Sequence, residues 1–362
     1  IPTNIQYNLA EFHRERVNAQ LTFQWRPIES LTATLDYTYA ENQSETVNKD
    51  ISAWLDPGCQ TRESEWVKEG NIYSPTKYSQ IGCSKERNQG VGQYATVDEN
   101  KSLGFNVEWL PTENLSMRMD YHDSSGDSQP NSKHGSSGFV AVASLNRITT
   151  DGYFTANGMP VLEIEQGERN SYNQITRIDQ LNANDMKLNG SGFGSFENRM
   201  DVKQFQYSAE YAFDDGHEIE FGFGNVEVTN RGQDAWVSRN AWSGVGEAGD
   251  IADLLRIESI AGVFDGIEGS GDPRQATEFF SWDYDALIER GEALLQTGSH
   301  GNVAGSGDCL TGFCPTYDFD KDEVTTEKSK SIYIQGHYVA EPFDMPMNVY
   351  VGLRYEETAV HS

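Results

Sequence analysis

The chain alternates apolar and polar residues in two stretches that share a thirteen-residue pattern. One copy covers residues 25–37 (WRPIESLTATLDY) and the other covers residues 109–121 (WLPTENLSMRMDY). Both fit W-x-P-x-E-x-L-[ST]-x-x-[LM]-D-Y. Because side chains in a β-strand point alternately to opposite faces, each copy predicts a hairpin with one apolar and one polar face. Pro27 and Pro111 fall in or beside the short turns, where they remove no ladder donor.

Aromatic residues at both ends of these hairpins help to choose between two folds. Alternation with one polar face is also typical of an antiparallel sandwich, whose apolar face packs on a core. In a membrane-spanning barrel the apolar face points to lipid, and aromatic residues form a girdle at each interface. Trp25 and Trp109 stand at the turn end, and Tyr37, Tyr39 and Tyr121 stand at the far end. This placement favours the transmembrane barrel.

Similar alternation recurs in two further hairpins, so the sequence predicts an all-β fold. We expect an antiparallel meander of about eight long strands that forms part of a transmembrane β-barrel. The predicted strands cover residues 16–26, 31–41, 102–110, 115–123, 201–213, 217–229, 330–341 and 347–358. Short turns join the two strands of each hairpin at 27–30, 111–114, 214–217 and 342–346.

Three very long connections, at 41–100, 123–200 and 229–328, separate the hairpins. Compact domains rarely contain loops longer than ~15 residues, whereas outer-membrane barrels combine short periplasmic turns with long extracellular loops. We therefore expect all four turns at the periplasmic end of the sheet and the loops on the outer face. Helical spacing of Ile, Leu and Ala within the third connection predicts short helices at 250–264 and 284–296.

The charge balance excludes one class of partner. The chain has 56 Asp and Glu against 27 Lys and Arg, so its surface repels nucleic acid. No stretch approaches the ~18 uncharged apolar residues of a transmembrane helix, and the opening IPTNIQYNLAEF shows no signal peptide. We expect that the signal was removed or that the chain is an internal piece of a longer protein.

The closing segment, residues 327–362, resembles the TonB-dependent outer-membrane receptors. A Glu-Lys pair enters one strand, and the next strand carries the family's G-[LV]-R-Y-x-x-T segment as Gly352, Leu353, Arg354, Tyr355 and Thr358. The tryptophan-led hairpins also match the barrel repeats of this family. The resemblance implies a 22-stranded barrel closed by a separate plug domain. Residues 1–362 would then be a partial barrel without the plug.

The resemblance also implies a location and partners. The location would be the outer membrane of a Gram-negative bacterium, and the barrel would contact its lipid. The ligand would be a small molecule or an oligosaccharide. The energising TonB complex would be engaged through a segment that is absent here. No cofactor, metal or nucleic acid is expected.

The four cysteines predict two local disulfides, Cys59 with Cys83 and Cys309 with Cys314. Zinc sites usually need a second Cys or His pair close in sequence, and neither pair has one. Disulfides form in oxidising compartments, in agreement with an envelope protein.

Five tryptophans in the long connections are the candidate ligand contacts. Indoles can stack on sugar rings or can anchor local loop cores, and the sequence leaves both interpretations open. The five are Trp54, Trp66, Trp236, Trp242 and Trp282.

No other motif adds a site. The glycine cluster 190–195 (GSGFGS) lacks the Lys of a phosphate loop and is interpreted as a flexible loop. Residues 318–322 begin like a calcium loop, but Glu323 replaces the required Gly. Neither H-E-x-x-H nor G-x-S-x-G occurs, so we expect no catalytic residue and no enzyme activity.

The leading hypothesis is therefore an outer-membrane receptor that imports a nutrient ligand, an oligosaccharide above all. A ferric-siderophore or corrinoid receptor of the same fold is the alternative. A secreted β-sandwich adhesin or carbohydrate-binding module is the hypothesis from a different class.

Overall fold

A computed structural model describes most of the chain. The described residues are 2–56, 58–61, 63–81, 86–155, 158–169, 174–178, 180–297, 302–304, 309 and 311–362. The fold is all-β. In chain order the strands are β1 (Asn4–Ile28), β2 (Leu31–Trp54), β3 (Gln60–Thr61), β4 (Glu65–Glu69), β5 (Ile72–Ile81), β6 (Arg87–Thr112), β7 (Leu115–Pro130), β8 (Ser137–Ser144), β9 (Arg147–Tyr153), β10 (Val161–Arg169), β11 (Ile175–Ile178), β12 (Met186–Ala212), β13 (Glu218–Val245), β14 (Arg256–Ser259), β15 (Glu278–Ser281), β16 (Asn302–Ala304), β17 (Lys321–Ala340) and β18 (Met347–His361).

Helical structure is limited to one α-helix and three short 3-10 turns in the described residues. These are α1 (Tyr284–Thr297) and the turns Ala183–Asp185, Ala252–Leu254 and Pro342–Asp344. None of these helices is long and apolar enough to cross a membrane.

The predicted antiparallel meander is confirmed. The main sheet has the order β1-β2-β6-β7-β12-β13-β17-β18, and every neighbouring pair is antiparallel. Where β7 ends, β8 takes its place between β6 and β12.

The four short turns lie at one end of this sheet, as predicted. Within each hairpin the innermost register pair closes the turn, for example Ile28 with Leu31. Adjacent turns are also linked: the Leu110 amide donates to the Ser30 carbonyl at 2.7 Å, and the Ala212 amide donates to the Asn114 carbonyl at 2.8 Å. We call this the turn end and the opposite end the distal end.

The strands are much longer at the distal end than the sequence predicted. β1 begins at Asn4 instead of 16, β2 reaches Trp54 instead of 41, and β6 begins at Arg87 instead of 102. The ladder continues through polar pairs such as Glu41 with Glu99. A backbone ladder does not require apolar side chains, so the loss of alternation wrongly suggested that the strands had ended.

Near the turn end, the main sheet has one apolar face and one polar face across all eight strands. One register row is apolar throughout: Trp25, Ala33, Val107, Met119, Tyr207, Phe223, Ile332 and Tyr355. The next row, on the opposite face, is almost entirely polar: Gln24, Thr34, Asn106, Asp120, Gln206, Gly224, Ser331 and Glu356. We call these the apolar face and the polar face.

The apolar face is exposed near the turn end. Phe223 is 45% exposed, Leu21 is 70% exposed and Leu353 is 77% exposed. Leu35, at 44%, is not packed between two sheets as a sandwich would require. We call this uncovered part of the sheet the apolar band.

The same face is covered at the distal end. Strand parity places Tyr7, Ile51 and Phe193 on the face that carries Phe23, Leu35 and Phe205. A second sheet of β3, β4, β5, β9, β10 and β11 packs there around Tyr7, Ile51 and Leu162. Helix α1 contributes Leu287 to a second cluster, which contains Phe193. The described parts of the long connections therefore form a folded distal layer rather than irregular loops.

One of the two predicted helices is wrong. Helix α1 confirms the prediction for 284–296, but residues 250–264 form the 3-10 turn Ala252–Leu254, strand β14 and a run of turns. Gly262 has φ +80°, which a continuing helix does not allow. Ile251 is buried in one hydrophobic cluster and Ile260 in the other. Their helix-like spacing therefore comes from two separate sites of burial.

Cys309 and Cys314 form a disulfide with Cα atoms 5.7 Å apart, as predicted. Cys83 lies outside the described residues, and so does its predicted bond to Cys59.

Candidate ligand-binding cleft

A cleft of about 640 Å³ opens on the polar face at the distal end of the main sheet. Five strands contribute to it because the sheet brings the end of β2, the start of β6, β8, the start of β12 and the end of β13 side by side. Its lining combines aromatic, amide, hydroxyl and charged side chains, including Trp54, Phe139, Trp236, Asn88, Asn189 and Arg239.

Aromatic rings lie close to glycines in and beside this cleft. A Cβ added to Gly192 would lie 2.7 Å from Cζ2 of Trp236. On the other side of β8, a Cβ added to Gly90 would lie 2.6 Å from Cε2 of Phe139. A larger residue at Gly192 would push the indole away, and one at Gly90 would displace both the Phe139 ring and the Asp50 carboxylate. Glycine is therefore required here by close contact between ring and backbone.

The same arrangement extends along both strands. Trp236 and Phe196 both approach Gly194, and Tyr94 approaches Gly92. Trp236 is 44% exposed, Tyr94 is 48% exposed and Phe196 is 38% exposed. Each of these three rings contacts a glycine and is still about half exposed, so part of it is open to a ligand. Together with Trp54 and Phe139, which line the cleft, they form what we call the aromatic platform.

This arrangement corrects the interpretation of residues 190–195. The segment is not a flexible loop, because it forms the first part of β12 and pairs with both β8 and β13. Phe193 points to the buried face and is 0% exposed, while Gly192 and Gly194 support Trp236 on the open face.

The five candidate tryptophans have different environments. Trp54 and Trp236 line the same cleft, although they are far apart in sequence. Trp66 lies in β4, with its ring 6.3 Å from that of Tyr78. Trp282 is 8% exposed within the distal core, so we assign it to packing. Trp242 lies in β13, and its side chain is outside the described residues.

The expectation that these tryptophans lie outside strands was wrong for four of them. Trp54 ends β2, Trp66 lies in β4, and both Trp236 and Trp242 lie in β13. Sequence inspection also missed Tyr94, Phe139 and Phe196. The available signal was a glycine at every second position, Gly90 and Gly92 or Gly192 and Gly194, beside an aromatic residue.

Hydrogen bonds fix the walls of the cleft. Nδ2 of Asn189 donates to Oδ1 of Asn88 at 3.2 Å, which joins β12 to β6 across the platform. Nη2 of Arg147 donates to the Trp54 carbonyl at 2.8 Å, which holds the end of β2.

The disulfide loop supports the opposite wall. Nε of Arg239 donates to the Thr311 carbonyl at 2.7 Å, and the Ser191 hydroxyl donates to the Gly312 carbonyl. The Cys309–Cys314 bridge therefore belongs to the frame of the cleft.

Asp50 lies next to Phe139 with its carboxylate against Gly90, at a position of β2 beyond the apolar band. Burial raises the pKa of its carboxyl to about 6, although a hydrogen bond from Ser52 opposes the shift. Because the folded pKa exceeds the unfolded value, folding favours the protonated form. The stability that this preference contributes is present below about pH 4 and is lost as pH rises through 6.

We expect Asp50→Asn to flatten this pH dependence. The wild type should lose up to about 3 kcal/mol of unfolding free energy between pH 4 and 7 relative to the variant, since one pKa unit corresponds to about 1.4 kcal/mol. Denaturant unfolding of both proteins at several pH values measures the difference. Parallel pH profiles for the two proteins would contradict the assignment.

Acidic side chains near the calcium-like segment are engaged in ion pairs. Asp322 receives two hydrogen bonds from Arg231, at 2.8 and 2.7 Å. Across the described part of the chain, no three His, Cys, Asp or Glu side chains gather as a metal site.

Comparisons with known proteins give no match. No protein-family model, no curated protein and no solved structure is significantly similar to this chain. The physical features of the sheet and the cleft are therefore the basis for any functional conclusion.

Proposed function

We propose that this chain is part of the transmembrane β-barrel of a TonB-dependent outer-membrane receptor that imports a nutrient ligand, an oligosaccharide above all. The observation that supports the membrane location is the apolar band. One face of the sheet is covered by a protein layer at the distal end and left bare at the turn end, where apolar side chains are 41–77% exposed at Ile219, Phe223 and Leu353.

A bare apolar surface of this extent needs a cover. Monomeric soluble proteins rarely expose contiguous apolar patches larger than a few hundred square ångströms. Lipid chains would cover the band without any partner protein, while the polar face would line an aqueous interior, as in outer-membrane barrels. The long distal layer would then stand outside the bilayer.

The cargo is proposed from charge and from the cleft. With a formal net charge of −29, the protein disfavours an anionic ferric chelate. The cleft instead offers open aromatic faces beside amides and hydroxyls, which suit a neutral ligand rich in hydroxyl groups. A ferric-siderophore or corrinoid receptor of the same fold is the competing proposal for the cargo.

The distal layer supports a second candidate function. Two packed sheets around Tyr7 and Leu162 are also the architecture of a secreted β-sandwich adhesin or carbohydrate-binding module. That function leaves the apolar band without a cover, so the membrane proposal accounts for more of the molecule.

Spin labels on the two faces test the membrane location. Phe223→Cys places a label in the apolar band, and Gln206→Cys places the matched label on the polar face of the neighbouring strand. In lipid bilayers, the label at 223 should relax with oxygen dissolved in lipid and should be protected from a water-soluble relaxation agent. The label at 206 should show the opposite pattern. Equal access of the water-soluble agent to both labels would refute the proposal.

A further inference from the structure

The strongest unassigned feature is the aromatic platform, whose rings lie on neighbouring strands across the cleft. We propose that Trp54, Phe139 and Trp236 form consecutive stacking subsites for the pyranose rings of a neutral linear oligosaccharide. The link to import rests on the proposed function, whereas the binding itself can be tested separately.

The rings of the platform are held by contacts with the backbone. Because a Cβ at Gly192 would lie 2.7 Å from the Trp236 indole, the ring is in contact with the backbone of β12. Three atoms of the indole lie within 3.6 Å of that position, so β12 covers part of the ring while the residue as a whole stays 44% exposed. Phe139 approaches the backbone at Gly90 with one ring atom, beside the Asp50 carboxylate. Rings held by such contacts lose little conformational freedom when a ligand stacks on them.

The glycines that contact Phe139 and Trp236 lie on different strands. Gly90 lies in β6 and Gly192 lies in β12, with β8 between them. Neighbouring strands are about 4.8 Å apart, so the two supports are separated by roughly 10 Å. A single sugar ring cannot cover both sites. Trp54, at the end of β2 on the far side of β6, extends the row further.

Polar and charged side chains surround the rings in the cleft. Asn88, Asn189 and Ser238 line the cleft and can donate and accept hydrogen bonds at the rim of a stacked ring. The charged side chains of the lining are Asp56, Glu86 and Arg239, so two carboxylates outweigh one guanidinium and the lining disfavours an anion. A pyranose has an apolar C–H face and a rim of hydroxyl groups, and it matches both parts of this lining. The geometry points to a neutral saccharide rather than to a carboxylate-bearing or iron-loaded ligand.

The test measures binding of neutral linear hexasaccharides of glucose, mannose, galactose and xylose to the purified protein in detergent, by calorimetry. We expect at least one to bind in the millimolar range or better. Trp236→Ala and Trp54→Ala should each weaken that binding about tenfold or more. Trp66→Ala is the matched control, because its indole is 40% exposed outside the cleft, and it should leave binding unchanged.

A variant at Gly192 tests the contact between the Trp236 indole and β12. Gly192→Ala retains Trp236 but lifts the indole off β12, so binding should fall although no aromatic group is lost. Circular dichroism and gel filtration confirm that each variant is folded. Failure of all four hexasaccharides to bind would overturn the proposal, and so would unchanged binding in Trp54→Ala and Trp236→Ala. Tryptophan-dependent binding of a ferric chelate or a corrinoid would overturn the saccharide assignment.

The two proposals fail in different ways. Loss of the saccharide proposal leaves the spin-label pattern at 223 and 206 unaffected. A water-accessible label at 223 would remove the membrane proposal and leave saccharide binding by the cleft untouched.

Discussion

Phe223→Arg should strongly destabilise the sheet in a bilayer. Phe223 belongs to an apolar row that crosses all eight strands, and its neighbours Tyr207 and Ile332 are apolar as well. An Arg on the lipid face of an outer-membrane barrel costs about 2–4 kcal/mol at the bilayer midplane. Folding into lipid vesicles, measured by the heat-modifiable shift on electrophoresis or by denaturant titration, gives the loss directly.

Two controls separate lipid contact from local packing. Gln206→Arg places the same charge on the polar face and should change the folding free energy by less than about 1 kcal/mol, as expected of an exposed position. Phe223→Leu removes the ring contacts with Phe205 and Tyr207 but stays apolar. If Phe223→Arg is tolerated as well as Gln206→Arg, the band does not face lipid.

Phe193→Ala should destabilise the distal layer by about 3–5 kcal/mol. The side chain is 0% exposed and belongs to the cluster that joins β12 and β13 to helix α1. Its removal leaves a cavity that the surrounding strands cannot readily fill. Limited proteolysis should then cut within the distal layer while the turn end of the sheet stays protected.

The neighbouring Phe196→Ala is the matched control. Phe196 lies on the same strand but is 38% exposed on the open face, so its removal should cost much less. A flexible loop at residues 190–195 would make the two substitutions equivalent. Equal, small losses of stability would therefore return that segment to the interpretation as a flexible loop.

The residue pattern predicts correctly the part of the fold in which local alternation and burial agree. Alternation around Trp25 and Trp109 predicted the hairpins, and their inner ends at Ile28 and Leu31 or Thr112 and Leu115 fall close to the predicted turns. There, each strand has one apolar and one polar face, so a period of two is visible in the residues. The close pair Cys309 and Cys314 was likewise readable from spacing alone.

The distal end depends on pairing between strands that are far apart in sequence. β12 continues through Gly190 to Ser195 because β8 and β13 supply its hydrogen-bond partners, and residues that pair by backbone leave little signal in a sequence. Trp282 became a core residue because the strands and helix around it form a buried cluster.

The candidate site has the same origin. Trp54 and Trp236 meet in one cleft because the sheet order places β2, β6, β8, β12 and β13 side by side, and sequence spacing carries no trace of that order. The sequence shows these glycines, but it does not show which aromatic rings contact them. A glycine under an aromatic ring is defined by a contact between different strands, and such a contact exists only once those strands have paired.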